Sequence, residues 1–249
     1  MKILLSIFIT IASIPSVDAF MVVSDVDDTI KLTNSGSTFG STWSGLFIKS
    51  AFLGMPAVYQ SWKAEGAKIY FVTGSPPIVG KNMHAMMKHN KVPYISITFR
   101  SNMSEDTVKY KMRAISKLFD RHPEEQVVLI GDDVTVDHDV FKLLNEKYPG
   151  RVLAMYVHQV KKRGYHEGQI PWVTAFDVAV SESDSSRVKG ILTDGVRNII
   201  IRGDKKKLFP SYAWCPKDLS QTQLPTEHTS DRNGALVKQY IEALCQARQ

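Results

Sequence analysis

The chain has 249 residues, and 43% of them are hydrophobic, which is ample for a buried core. This length and composition exclude a small peptide and predict one large domain, or one domain with an extension. The net charge of +6 favours anionic partners, either lipid headgroups or nucleic acid, and composition does not choose between them.

The N-terminus predicts a signal peptide. Lys2 precedes an apolar stretch from Ile3 to Ile14, and Val17 and Ala19 satisfy the small-residue rule for cleavage before Phe20. The alternative is an uncleaved membrane anchor, although the stretch is short for a span, which needs roughly 20 residues. Cleavage would give a secreted or periplasmic protein, and the sequence does not separate these two destinations.

Export would also place the chain in an oxidising compartment, where cysteines pair. Cys215 and Cys245 are the only two cysteines. We therefore expect one disulfide between them, with two unpaired buried thiols as the alternative.

Predicted strands and helices alternate along the rest of the chain. The predicted strands are 20–23, 68–73, 94–99, 127–130, 152–157 and 176–180. The predicted helices are 77–89, 107–120, 137–148 and 233–247, and 191–201 predicts a helical turn followed by a strand. This alternation predicts an α/β fold, a Rossmann-like and mostly parallel sheet with helices on both faces.

The same pattern divides the chain into a signal peptide at 1–19, a core at 20–182 and a C-terminal extension at 183–249 packed on that core. The periodicity weakens where the extension begins. A Gly/Ser/Thr-rich stretch from Asn34, followed by an apolar run, predicts a small cap at about 30–56 over the mouth of the sheet. A lid and an ordinary long connection are both open interpretations of this segment.

Carboxylates stand where two of the predicted strands end. Asp25 and Asp27 follow the first strand, and Asp132 follows the fourth. The carboxyl ends of parallel strands meet at one edge of a sheet, where ligands bind. Acids packed there repel one another unless a cation lies among them, and oxygen ligands suit a hard ion such as Mg²⁺. A carboxylate beside such an ion can also attack phosphorus.

Other polar groups are predicted at the same edge. Thr73, Gly74 and Ser75 end the second strand, while Lys109 and Lys111 lie early in the helix at 107–120. A hydroxyl, a glycine turn and a lysine are therefore expected to converge with the acids.

The order of these groups resembles the haloacid dehalogenase superfamily. The residues that match its motifs are Asp25, Asp27, Thr29, Thr73, Lys111, Gly131, Asp132, Asp133 and Asp137. Each motif alone is weak, and their order and spacing together make the resemblance specific.

A closer resemblance is to the catalytic domain of the actin-patch-type phosphatidate phosphatases, from about Met21 to Glu182. It is carried by 24–33, 54–56, 72–76, 99–100, 110–115, 128–132 and 174–177. On this resemblance Lys111, rather than Lys109, is the motif lysine. The tail after Glu182 has no counterpart in that family.

The resemblance implies a Mg²⁺-dependent phosphatase that hydrolyses a phosphomonoester through an aspartyl-phosphate. Asp25 would be the nucleophile. Asp27 would protonate the leaving oxygen and then deprotonate the hydrolytic water. Asp25, the backbone carbonyl of Asp27 and Asp132 would hold the Mg²⁺ ion.

The resemblance also implies a phosphate pocket. Thr73, Ser75 and the backbone N–H of Gly74 would hold phosphate oxygens, and Lys111 would offset the charge of the transition state. Ser75 could instead only shape a turn. Arg100 could touch the phosphate or equally pair with an acid on a loop.

Three further acids have less defined roles. Asp28 is expected to start a helix as a cap rather than to bind metal. Asp133 and Asp137 would act through waters or orient Lys111, or else cap the following helix. The family usually has Ser-Gly where this chain has Asp133-Val134.

Phosphatidate or a related lipid phosphomonoester is the substrate that the resemblance favours. The basic turn Lys161-Lys162-Arg163 could contact an anionic headgroup or membrane, or be a solvated loop. The apolar run from Leu46 to Leu53 could form a lip for acyl chains or pack on the sheet. A broad-specificity exported acid phosphatase and a non-catalytic module that binds anionic lipid are the alternatives. We expect no nucleic acid partner.

Overall fold

A computed structural model of the protein describes residues 20–33 and 49–248. The predicted signal peptide and the middle of the predicted cap lie outside the described residues. Within the described part of the chain, no helix is long and apolar enough to cross a membrane.

Six parallel strands form a single sheet in the described residues. They are β1 (Met21–Ser24), β2 (Lys68–Thr73), β3 (Ser96–Phe99), β4 (Val127–Asp132), β5 (Val152–His158) and β6 (Ile170–Trp172). Their order across the sheet is β3-β2-β1-β4-β5-β6, with parallel pairing throughout. The chain order reverses beside β1, so the carboxyl ends of β1 and β4 flank the crevice in which such sheets bind ligands.

Helices cover both faces of this sheet. They are α1 (Met55–Ala64), α2 (Gly80–His89), α3 (Thr107–Arg121), α4 (Asp137–Lys147), α5 (Ala175–Asp184), α6 (Ile191–Arg202), α7 (Lys205–Leu208), α8 (Pro225–His228) and α9 (Arg232–Gln246). Successive residues of β1 point to opposite faces. Val22 packs into one hydrophobic cluster with α1, α5 and α6, whereas Met21 and Val23 pack into another with α3 and α4. The predicted Rossmann-like α/β fold is confirmed.

Two predicted elements near the end of the core are wrong. Residues 176–180 belong to α5, not to a strand, and 191–201 form the single helix α6. The helix at α5 begins with a capping box, in which the Asp177 carboxylate accepts the backbone N–H of Thr174 at 2.9 Å. The sixth strand is instead Ile170–Trp172, which the sequence did not predict.

The C-terminal extension packs against the core. Val196 and Ile200 of α6 and Val237 and Ile241 of α9 are fully buried in the hydrophobic cluster that also contains Val22. Cys215 and Cys245 form a disulfide, as predicted. The limits of the signal peptide, core, cap and extension stay predictions.

Candidate active site

Three buried carboxylates meet at the carboxyl edge of the sheet. Asp25 follows β1, Asp132 ends β4 and Asp137 begins α4. Each contributes a carboxylate oxygen to a group whose members lie within 4.8 Å of one another. Their exposures are 6%, 1% and 1%, so water solvates these charges poorly. The sequence predicted that Asp25 and Asp132 would meet, and the structure confirms this.

Gly131 makes room for the third acid. A Cβ atom at this position would lie 2.6 Å from the Cβ of Asp137, which is closer than such atoms approach in proteins. A side chain at residue 131 would therefore displace Asp137 from the cluster. The glycine that precedes Asp132 is a packing requirement of the site.

Lys111 of α3 joins the cluster as its cation. Its Nζ donates to Asp25 Oδ1 at 2.8 Å and to Asp137 Oδ1 at 2.5 Å. The side chain is only 3% exposed. This contact confirms Lys111 as the lysine that reaches the acids, whereas Lys109 is exposed. The contact with Asp137 is the one expected if that acid orients Lys111, which is one of the three roles predicted for it.

The protonation equilibria of the cluster are strongly displaced. Burial raises the pKa of Asp25 well above its ordinary value; the Lys111 ammonium opposes this rise and the Asp137 carboxylate adds to it. Burial also raises the pKa of Asp132, and the carboxylates of Asp137 and Asp25 raise it further. Burial alone would lower the pKa of Lys111, but Asp137 and Asp25 outweigh that effect and raise it.

Burial is the main cause of the two raised carboxyl pKa values, and a deficit of positive charge adds to it. Among the described residues, one lysine contacts this group of three carboxylates, and burying unpaired charges costs on the order of several kcal/mol each. A hard divalent cation among the carboxylate oxygens would remove the deficit. The donor set of Asp25, Asp132 and Asp137 therefore fits a hard divalent cation, and Asp137 is a carboxylate that the sequence analysis had not counted among the metal ligands. The predicted ligand from Asp27 is its backbone carbonyl, which stays a prediction.

The Asp27 side chain is not a member of the group of three buried carboxylates, although its charge adds to burial in raising the pKa of Asp25. Its carboxylate accepts the hydroxyls of Thr33 at 2.9 Å, Ser75 at 2.7 Å and Thr73 at 3.2 Å. The Lys31 Nζ is 3.6 Å from the same carboxylate. The Asp27 side chain is 13% exposed, against 6% for Asp25 and 1% for Asp137, so it lies at the more open side of the site.

The turn after β2 forms a small polar wall beside Asp27. The Ser75 N–H donates to Thr73 Oγ1 at 3.1 Å, and the Arg100 N–H donates to the Ser75 carbonyl at 3.1 Å. Ser75 thus contacts Asp27 and also shapes the turn. Gly74 lies between the two hydroxyl residues in this turn.

Arg100 is held beside this turn by a neutral partner. Its Nη1 donates to the hydroxyl of Thr107, and its Nε is buried without a hydrogen-bond partner in the described residues. The charge of Arg100 also adds to the effect of Arg113, which lowers the pKa of Glu105 on the loop before α3. The phosphate contact and the pairing with a loop acid both stay predictions for Arg100.

Two acids are placed differently from the sequence expectation. Asp28 lies in a turn rather than at the start of a helix. Its carboxylate accepts hydrogen bonds from the N–H of Thr33 and the hydroxyl of Tyr212. Asp133 points away from the acid cluster, and its carboxylate accepts the backbone N–H groups of Lys161 and Arg163 at 2.8 and 2.7 Å. Asp133 therefore stabilises the basic turn Lys161-Lys162-Arg163 and does not cap α4.

Three residues beside the site were missed by the sequence analysis. Thr29 belongs to the first motif but had no assigned role, and its hydroxyl donates to Asp132 at 3.3 Å. His158 Nδ1 donates to the Asp28 carbonyl at 2.7 Å. Because His158 ends β5, its position along the sequence could have indicated that it lies near the site. Tyr212 comes from the extension, and no local sequence signal connects it to the site.

The sequence matches one family of known proteins. Residues 20–159 match the family described as "Phosphatidate phosphatase APP1, catalytic domain". The match covers more than half of the chain, so the chain belongs to this family of phosphatidate phosphatase-like enzymes. It confirms the predicted family resemblance, although it ends at Gln159 rather than near Glu182.

No curated protein sequence matches the chain. A solved structure described as "Structure of Pnkp1/Rnl/Hen1 complex" is similar at 16% identity, with a TM-score of 0.42. The similarity covers 63% of this chain and 47% of that chain, so this chain spans less than half the length of that protein.

Proposed function

We propose that the protein is an exported, Mg²⁺-dependent phosphatase that hydrolyses a phosphomonoester, phosphatidate or a related lipid phosphate, through an aspartyl-phosphate. The observation that carries this proposal is the contact between Lys111 and Asp25 inside a buried acid cluster. We also place the chain in the haloacid dehalogenase superfamily, because the acid, hydroxyl, lysine and second acid follow the motif order of that superfamily at the edge of one parallel sheet.

Asp25 is the nucleophile of the proposed reaction. Its carboxylate oxygen forms a bond to phosphorus as the bond from phosphorus to the ester oxygen breaks. The contact with Lys111 favours the ionised form that this attack requires, against the effect of burial. Lys111 also stands where negative charge grows on the phosphoryl oxygens.

Asp27 moves the protons of both steps. It gives a proton to the departing ester oxygen, and it then takes one from the water that attacks the phosphorus of the aspartyl-phosphate. The hydroxyls of Thr73 and Ser75 fix the Asp27 carboxylate at the open side of the site. Arg100 and the backbone of Gly74 are proposed to bind phosphate oxygens that do not react.

Asp25, Asp132 and Asp137 are the side chains that would hold Mg²⁺, with the backbone carbonyl of Asp27 as a further proposed ligand. The bound ion would neutralise the carboxylates and the phosphate, so that an anionic nucleophile can approach an anionic substrate.

Export is part of the same proposal. It is supported by the apolar N-terminal sequence ahead of Phe20 and by the disulfide between Cys215 and Cys245, since disulfides persist in oxidising compartments. N-terminal sequencing of the protein recovered outside the cytoplasm should begin at Phe20. A chain that keeps Met1 after membrane extraction would instead indicate an uncleaved anchor.

The first experiment measures release of inorganic phosphate by the purified protein. Phosphatidate in mixed micelles is compared with a soluble aryl phosphate, with and without Mg²⁺, beside Asp25→Asn. We expect Mg²⁺-dependent turnover that prefers phosphatidate and falls to background in the variant, because an amide cannot form the aspartyl-phosphate.

Other results would change the proposal in different ways. Equal or faster turnover of the aryl phosphate would indicate the broad-specificity phosphatase. Absence of turnover on both substrates, with lipid binding intact, would indicate the non-catalytic binding module. Full activity of Asp25→Asn would reject Asp25 as the nucleophile.

A further inference from the structure

A cavity of about 370 Å³ lies beyond the end of β5, between the core and the C-terminal extension. Lys162 and Arg163 of the basic turn form one side, and Trp214 of the extension forms another. Tyr165 and Leu224 also line it. Most of this cavity lies outside the part of the chain that matches the family, which ends at Gln159. The site described above does not use it.

The cationic side of the cavity is held rigidly next to the acid cluster. The Asp133 carboxylate accepts the backbone N–H groups of Lys161 and Arg163, and Asp133 directly follows Asp132. Lys162 between them has a φ of 54°, a left-handed conformation that is strained for a residue with a side chain. The surrounding contacts maintain this strained turn, which fixes the direction in which Lys162 leaves the backbone.

The opposite side of the cavity, formed by Trp214, is also held in place by contacts within the chain. The Trp214 N–H donates to the Val160 carbonyl at 2.7 Å, and the next residue, Cys215, is bonded to Cys245 of α9. The guanidinium of Arg248 donates to the Ala213 carbonyl at 3.1 Å. The cavity is therefore defined by the folded chain on both sides.

The charged side chains that line the cavity are all positive. Lys162 and Arg163 are the charged side chains among those that line the cavity, and the described lining contains no carboxylate. Lys162 Nζ lies over the ring of Trp214 at 5.0 Å from its centre, a contact that positions the ammonium without neutralising it. The Arg163 guanidinium donates from Nη1 to the Val134 carbonyl at 2.5 Å, so one of its nitrogens is already engaged by the chain. An ammonium and the remaining N–H groups of a guanidinium are groups that bind phosphate oxygens.

We propose that this cavity binds the phosphate group of a phosphodiester headgroup, as a site separate from the acid cluster. Its volume exceeds that of a bare phosphate, and Trp214 and Leu224 offer apolar surface for the carbon skeleton of the headgroup. The headgroup can belong to a membrane lipid or to a soluble phosphate ester, because both present the same chemistry. Binding here requires no turnover, so the proposal does not rest on the phosphatase reaction.

The test uses the full chain and two phosphodiesters, which a phosphomonoesterase does not consume. Glycerophosphoglycerol is titrated calorimetrically, and co-sedimentation is measured with phosphatidylcholine vesicles with and without phosphatidylglycerol. The variant is Lys162→Gln with Arg163→Gln. The matched control is Lys88→Gln with Lys117→Gln, which removes the same charge from exposed positions on α2 and α3. Circular dichroism melting verifies folding, and Lys162→Gln alone serves if the double variant unfolds.

We expect the cavity variant to bind phosphatidylglycerol vesicles at least about fivefold more weakly, as for loss of a charge-assisted hydrogen bond, while the control keeps its affinity. A parallel loss for glycerophosphoglycerol would show that the free headgroup suffices. A loss confined to vesicles would assign the site to lipid. Unchanged binding, or an equal loss in the control, would overturn the proposal.

Discussion

Lys111 should tolerate few replacements, because it is buried and donates to two carboxylates. Replacing it by Met would leave Asp25, Asp132 and Asp137 without their cation. Loss of one partner from a buried ion pair costs about 3–5 kcal/mol. We expect Lys111→Met to lower the free energy of unfolding by this amount at neutral pH, measured by urea denaturation without divalent cations.

Lys109 provides the matched control on the same helix, because its side chain is exposed. Lys109→Met should change the free energy of unfolding by no more than about 0.5 kcal/mol. Adding Asp137→Asn to Lys111→Met removes one of the repelling charges and should restore part of the lost stability. Equal effects of the two lysine substitutions would contradict the proposed charge balance.

His158 gives a pH dependence whose sign can be derived. It is buried against Trp172, and burial lowers its pKa below the ordinary value of 6.5. The unfolded chain therefore takes up a proton at a pH where the folded protein does not. Its stabilising contribution is complete above about pH 6.5 and is lost as the pH falls through the lowered pKa of the folded state.

Melting temperatures between about pH 5 and about pH 8 measure this contribution, in the range where histidine titrates. We expect His158→Gln to reduce the slope of stability against pH, whatever its effect on stability at one pH. His89→Gln on the exposed end of α2 is the control and should keep the original slope. An unchanged slope in His158→Gln would show that His158 has the same pKa in the folded and the unfolded protein.

Among the secondary-structure elements, the sequence predicted those whose burial produces a regular pattern. The strands at β1, β2 and β4 are short apolar runs, and α3 shows a helical apolar face. Helix α5 has no such face, because Phe176, Val178, Ala179 and Val180 are all buried. A short, β-branched run that is buried all round cannot be distinguished from a strand by periodicity.

The element-level prediction concerns the first turn of α5. The Asp177 carboxylate accepts the N–H groups of Val173 and Thr174, and also the N–H of Thr226 in α8. Asp177→Ala leaves these buried donors without an acceptor, at about 1–3 kcal/mol each. We expect urea denaturation to show a loss of at least about 2 kcal/mol.

Asp184 is the control for this substitution, since it ends the same helix and is exposed. Asp184→Ala should be close to neutral, within about 0.5 kcal/mol. If Asp177→Ala were equally mild, the capping box and the link to α8 would contribute nothing measurable to stability.

At the scale of the whole molecule, the sequence could predict the site wherever topology alone brings residues together. Asp25, Thr73 and Asp132 end neighbouring parallel strands, so their convergence follows from strand order. The contact of Tyr212 with Asp28 spans 184 residues and joins a turn to an irregular segment. Such a contact depends on tertiary packing of the extension, for which the sequence carries no periodic signal.

The disulfide between Cys215 and Cys245 closes a loop within that extension. It joins residues 30 apart, and closing a loop of this size reduces the entropy of the unfolded chain by an amount worth about 3–4 kcal/mol in the chain-entropy model. The extension buries Val196, Ile241 and other side chains in the core, so loosening it weakens the whole fold rather than a separate part.

We expect a reductant to lower the free energy of unfolding by about 3–4 kcal/mol in one cooperative transition. The double variant Cys215→Ala with Cys245→Ala should have the reduced stability already and should not respond to reductant. A separate early transition would show instead that the extension unfolds independently of the sheet.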